Sequence, residues 1–88
     1  MLFYVYILYS PSHNRTYVGQ TNNISTRLDY HNKGKVKSTK AFRPWILIYF
    51  GSFSSRADAM KKELWFKSHS GRKKISEFLN SYLLNHFS

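Results

Sequence analysis

The chain has no cysteine, so neither a disulfide framework nor a thiolate metal site is open to it. Acids are nearly as scarce: four Asp and Glu stand against fourteen Lys and Arg, a net charge of +10. Such a balance suits a polyanionic partner, because each phosphate neutralised by a cation releases a counterion. A long hydrophobic run is missing as well. The apolar stretch over residues 2–9 is far too short to cross a bilayer. No basic segment precedes it and no small-residue cleavage site follows, so it does not read as a signal peptide. The expected location is cytoplasmic, and there the sequons Asn14-Arg15-Thr16 and Asn23-Ile24-Ser25 carry no meaning.

Hydrophobic residues make up 42% of the 88 positions and aromatics 18%. That composition belongs to a folded chain rather than a disordered one. The length allows one small domain, residues 1–88, with one core. Large aromatics give such a core more buried area per residue.

Residues 2–9 are apolar on both alternating faces, as in a strand covered on both sides, and are expected at the centre of a sheet. Ser10-Pro11-Ser12-His13-Asn14 is a turn cluster, and residues 15–20 follow as an antiparallel hairpin partner. Thr21, Asn22 and Asn23 are N-cap residue types. A helix is predicted from them to about Asn32, with Ile24, Leu28 and His31 on one face and Arg27 beside them. A basic loop, residues 33–40, is ended by Arg43-Pro44 and leads to a third strand over 45–53. Ser54 or Ser55 caps a second helix, predicted to turn Ala57, Met60 and Leu64 inward and to stop at Gly71. A final helix from about Arg72 repeats Ile75, Phe78, Leu79, Tyr82 and Leu83 at helical spacing. The predicted fold class is α+β: a three-stranded, mostly antiparallel sheet flanked by helices, in the order β-β-α-β-α-α.

The first two strands place tyrosine where phenylalanine would pack as well. Tyr6 shares a strand face with Tyr4 and Leu8, and Tyr17 shares one with Gly19. In a hairpin the two phenols would stand near each other. Taken singly, each is most simply a core aromatic with a satisfied hydroxyl. Taken together, Val5-Tyr6-Ile7 followed by Tyr17-Val18-Gly19 resembles the paired motif of the GIY-YIG nuclease superfamily. Arg27 and His31 fall where that family places an arginine and a His or Tyr on its first helix. Glu63 falls where it places a metal-binding glutamate on a later helix. Pro44 before the strand Ile46-Leu47-Ile48-Tyr49-Phe50, with Ala59 and Lys67 around Glu63, is similar to the small single-domain, UvrC-like (UPF0213-type) branch.

The resemblance implies a metal-dependent endonuclease-like domain that hydrolyses DNA phosphodiester bonds. Its specificity would be structure-selective or weak, its setting DNA repair or recombination, with a protein partner for targeting and no membrane. It implies Tyr6, Tyr17, Arg27, His31 and Glu63 as the catalytic set, with Mg2+ or Mn2+ on Glu63. Physically, Arg27 and His31 project from the same side of a helix. A guanidinium there offers two donors to a phosphate, and an imidazole exchanges protons near neutrality. A single carboxylate with waters and substrate phosphate suits Mg2+; the plainer reading of Glu63 is an i, i+4 pair with Lys67. Tyr17 would activate or position the attacking water, and Tyr6 would hydrogen-bond the phosphate or that water. Either Tyr17 or His31 would take the proton.

Lys33, Lys35, Lys37, Lys40 and Arg43 of the loop, with Lys67 and the run Arg72-Lys73-Lys74, are candidate phosphate-backbone contacts, although a charge run is also what a solvated face looks like. Two residues depart from the family pattern: Val5 stands where the first motif has glycine, and Gln20 where repair members carry a lysine. They keep open an alternative, a catalytically weak nucleic-acid-binding module, for DNA or RNA, on the same fold. A membrane-surface role for the basic last helix is a third reading, but its regular apolar stripe suits docking on its own sheet better.

Overall fold

The computed structural model describes residues 1–87. Its elements are β1 (Phe3–Ser10), β2 (Arg15–Thr21), α1 (Ile24–Asn32), a short 3-10 turn (Lys40–Phe42), β3 (Ile46–Phe53), α2 (Arg56–Phe66) and α3 (His69–Phe87). The sheet order is β2-β1-β3 and both pairings are antiparallel. This is the predicted α+β order with β1 at the centre, where its alternating residues are buried on both faces. Asn14 takes the left-handed conformation, φ 50, at the hairpin turn.

The two faces hold different cores. Val5 and Ile7 meet Ala59 and Phe66 of α2 and Ile75 of α3. Tyr6 and Leu8 meet Trp45, with Tyr17, Leu28, Phe42 and Leu47 packed around them. Val5 therefore points away from Tyr6 and fills the core under α2, where a glycine would leave a void. Both predicted caps form. Asn23 Oδ1 accepts from the Thr26 N–H at 3.1 Å, and Ser55 Oγ from the Asp58 N–H at 3.1 Å. Beyond α1, the Asn32 amide exchanges two hydrogen bonds with the Trp45 backbone, at 2.6 and 3.1 Å. The basic loop is thus closed at its neck.

Two expectations fail at α2. It ends at Phe66, and Gly71 lies inside the first turn of α3 rather than stopping α2. Glycine is needed there for close approach: a Cβ would strike the Trp65 carbonyl oxygen and the Phe66 Cα. The inner stripe is also different. Ala57, Met60 and Leu64 face solvent, Leu64 being 61% exposed, and the buried residues are Ala59 and Phe66. The helix carries apolar residues in two phases. The phase that packs is the one that brings Phe66 to Tyr49 and Phe78, with ring centroids 5.8 and 6.3 Å away. Residues 59, 63 and 66 share that face, so Glu63 turns toward the sheet.

Gly71→Ala must open the α2–α3 corner and is expected to destabilise by about 2 kcal/mol or more. Ser70→Ala, at an exposed neighbour, is expected to stay within ~0.5 kcal/mol. Urea midpoints of the two variants check this.

Candidate active site

Tyr6 and Gly19 are register partners, and the phenol of Tyr6 lies across the glycine backbone. A Cβ at position 19 would sit 2.5 Å from the Tyr6 Oη and 2.6 Å from its Cζ. Glycine is required here by close approach and not by a bulge. The β1–β2 register is unbroken, and the irregularity in the sheet lies between β1 and β3 at Ile7/Leu8.

The Tyr6 hydroxyl lies 2.9 Å from His31 Nε2, and His31 Nδ1 lies 2.8 Å from Thr39 Oγ1. Thr39 Oγ1 donates onward to the Val36 carbonyl at 3.3 Å. With its proton committed, the Thr39 oxygen accepts from Nδ1–H. A neutral imidazole then has a bare Nε2, so the Tyr6 O–H donates to it. His31 is 0% exposed. Burial first, and the Arg27 charge second, lower its pKa to about 4. The Tyr6 pKa is raised, chiefly by burial. Arg27 opposes the rise by hydrogen bonding and by charge, while Tyr17 and Glu63 add to it. One phenol therefore responds to the guanidinium, the second phenol and the carboxylate.

Tyr17 is the more open of the two tyrosines, since Tyr6 is buried and Tyr17 only partly so. Its ring centroid is 5.0 Å from that of His31 and 6.4 Å from that of Tyr6. Both His31 nitrogens are engaged with Tyr6 and Thr39, so the histidine's hydrogen bond runs to Tyr6 and not to Tyr17.

Glu63 reaches β2 from α2. Its Oε1 accepts from Gln20 Nε2 at 3.0 Å, and its Oε2 is 3.3 Å from Lys67 Nζ. The Glu63 side chain keeps 19% of its exposure. The i, i+4 pair with Lys67 is thus present, but it is not the whole of the carboxylate's surroundings. Gln20, read from sequence only as a missing lysine, is a neutral donor that orients the acid without cancelling its charge. Thr39, which sets the His31 tautomer, carried no signal in sequence at all: it is one polar residue in a polar basic loop. Among the described residues no cluster of three His, Cys, Asp or Glu exists to enclose a metal. A lone carboxylate, steadied by an amide and partly open to solvent, fits an ion that keeps most of its waters, as Mg2+ and Mn2+ do.

The candidate backbone contacts divide. Lys33 pairs with Asp29 at 2.8 Å, Lys35 lies over the Tyr30 ring at 5.1 Å, and Arg43 donates to the Lys40 carbonyl at 2.8 Å. Lys37 and Lys40 are exposed on the same loop. Lys67 and Arg72 instead line a hollow of about 650 Å³ that opens beside Tyr17, with Thr16 and Ser76.

The fold, the phenol pair over a glycine, and an arginine and a glutamate acting on it define a nuclease-type domain. Residues 2–76 match the GIY-YIG catalytic domain, and the chain belongs to the GIY-YIG family. Its relatives are UPF0213 proteins. One from Pediococcus pentosaceus is 46% identical over 74 residues, covering 83% of this chain and 77% of the relative. YazA of Bacillus subtilis is 44% identical over 72 residues, covering 77% and 73%. The solution NMR structure of the UPF0213 protein BH0048 from Bacillus halodurans matches with a TM-score of 0.53 at 30% identity, over 88% of this chain and 84% of that one.

Two predictions follow from the buried pair. The His31 pKa is about 4 in the fold and 6.5 ordinarily, so the unfolded chain takes up that proton first as pH falls. Stability is complete above about 6.5 and drains between there and about 4, by roughly 2–3 kcal/mol. His31→Leu, whatever its own cost, is expected to flatten this dependence in urea titrations at pH 7 and pH 4.5. Gly19→Ala is expected to push the Tyr6 ring off β2 and break its bond to His31. The readout is the histidine ring signals by NMR, and unchanged signals would refute the close-approach argument.

Proposed function

We propose that this protein is a divalent-metal-dependent endonuclease that hydrolyses DNA phosphodiester bonds, with structure-selective or weak sequence specificity. The observation that carries the reading is the partly exposed Tyr17 beside the buried Tyr6–His31 pair, with Arg27 and Glu63 both acting on the Tyr6 phenol. The fourteen cations, against four acids, supply the attraction for a polyanion.

In this reading Tyr17 meets the attacking water and holds it in line with the phosphorus. The new P–O bond forms from that water as the bond to the leaving oxygen breaks, the water passing a proton to solvent by way of the Tyr17 hydroxyl and the leaving oxygen taking one up from solvent. Arg27 donates to a non-bridging phosphate oxygen and stabilises the charge that builds there. Tyr6 and His31 serve behind it. Their burial and the low His31 pKa make them poor proton acceptors for bulk water, and their hydrogen bond fixes the phenol that Arg27 leans on. Glu63, oriented by Gln20, would hold Mg2+ or Mn2+, which when bound neutralises charge on the phosphate and the leaving oxygen. Lys67 and Arg72 would follow the backbone of the bound strand along the hollow at Tyr17. A role in repair or recombination, and a protein partner for targeting, belong to the same proposal.

The test uses branched, nicked and flap DNA with Mg2+ or Mn2+. Tyr17→Phe and Glu63→Ala are expected to keep DNA binding and to lose cleavage by about 10²–10⁴-fold. Metal-independent binding without cleavage by the wild type would favour a binding module on the same fold. Cleavage unaffected by Tyr17→Phe would dismiss the role given to that phenol.

A further inference from the structure

Phe50 is the Cα partner of Tyr6 across the β1–β3 pairing, so both side chains stand on the face that carries the candidate site. Tyr6 is buried there and Phe50 is 54% exposed. Phe50 is not an isolated apolar residue at the surface. Its ring meets Tyr4 edge-on, with centroids 6.1 Å apart at 68°. The two rings line a hollow of about 620 Å³ together with Leu28 and Leu47, and Asn22 and Ser25 form its polar rim at the start of α1. The Asn22 amide faces the Met1 sulfur at 3.9 Å, a weak acceptor.

The lining contains no charged side chain, in a chain with fourteen lysines and arginines. The hollow therefore offers a phosphate no charged side chain. It suits the uncharged, flat part of a nucleotide whose phosphate is held at the candidate site, to which Phe50 is joined by its pairing with Tyr6. We propose that Phe50 and Tyr4 form a stacking site for a nucleobase adjoining the phosphate to be cut, with Asn22 and Ser25 facing the edge of that base. The inference rests on the nuclease reading and sharpens it. A base in this hollow has left its own stack, so the favoured substrate has an unpaired or extruded base beside the reacting phosphate.

The experiment is binding of a single-stranded oligonucleotide containing 2-aminopurine, in EDTA so that nothing is cut. The wild type is expected to bind it and to quench the fluorescent base by stacking. Phe50→Ala is expected to weaken binding by about tenfold and to abolish the quench. Phe50→Leu, which keeps apolar volume without a π face, is expected to behave the same way. Phe50→Trp is expected to restore both. Tight binding with no quench, or wild-type affinity in Phe50→Ala and Phe50→Leu, overturns the stacking site while leaving nucleic-acid binding intact. A wild type that binds no oligonucleotide, single- or double-stranded, overturns the nuclease reading and this inference together. A dimer by sedimentation that Phe50→Ala dissociates overturns the inference in favour of a second copy of the chain as occupant.

Discussion

The hydrogen bond from Tyr6 to His31 is the constraint on which the rest of the candidate site depends. It joins two groups that would each be costly to leave unpaired in the interior, about 1–3 kcal/mol apiece. Neither can be satisfied by water, because both residues are buried. The bond therefore fixes everything it touches. The phenol must cross β2, so residue 19 must be glycine. Helix α1 must present His31 inward, which places Arg27, one turn earlier, beside the same phenol. The second ring nitrogen must find an acceptor, and it does so at Thr39, which anchors the basic loop from within. The Trp45 indole donates to the Thr39 carbonyl at 2.9 Å and fastens the same turn to the start of β3. A polar line thus runs from phenol to imidazole to hydroxyl to backbone carbonyl, with the donor direction the same at each hydrogen bond.

The sheet separates this polar work from the bulk of the hydrophobic work. The α2–α3 face is held by aromatic packing, with Tyr49 and Phe78 stacked at 4.3 Å and Phe66 edge-on to both. The α1 face carries the histidine and the phenols. Glu63 belongs to an element of the first face but acts on a phenol of the second. Gln20 is the link, because it alternates with Gly19 on β2 and so meets the acid from the α2 side. At Gly19 no side chain stands between the Tyr6 hydroxyl and the strand. The edge strand is thus where both faces of the sheet reach one site.

The fold was legible in sequence because its signals are local and redundant. A strand apolar on both faces can only be central, turn residues mark the hairpin, and Asn23 and Ser55 are cap residues that do cap. The paired tyrosine triplets carry the family resemblance in the sequence itself. What failed was phase and contact. On α2 the sequence offered Ala57, Met60 and Leu64 as a plausible inner stripe, and only the demand of Phe66 for aromatic neighbours decides against it. Gly71 looked like a stop signal because glycine commonly ends helices. Its real constraint, the nearby Trp65 and Phe66 backbone, is a tertiary distance that no local pattern encodes. At the site, residue types and order were readable, whereas the partners of each polar atom were not. Thr39 and Gln20 act through hydrogen bonds to residues 8 and 43 positions away, and neither residue type announces such a bond.

Those two partners also bear on why one acid persists on so basic a surface. A carboxylate in a chain of net charge +10 has many cations within reach, and Lys67 already stands at 3.3 Å. A second lysine at position 20 would surround the acid with fixed positive charge and leave little demand for any other cation. The glutamine found there makes one charge-assisted hydrogen bond and adds no charge. The carboxylate is then held in place but only partly neutralised, which is what the proposed metal site would require. On this argument the glutamine is no weakened copy of a catalytic lysine. If the carboxylate holds the proposed metal, a glutamine here would leave the electrostatic work to an exchangeable cation rather than a built-in one, and the proposed cleavage would depend more on metal concentration than with a lysine in its place.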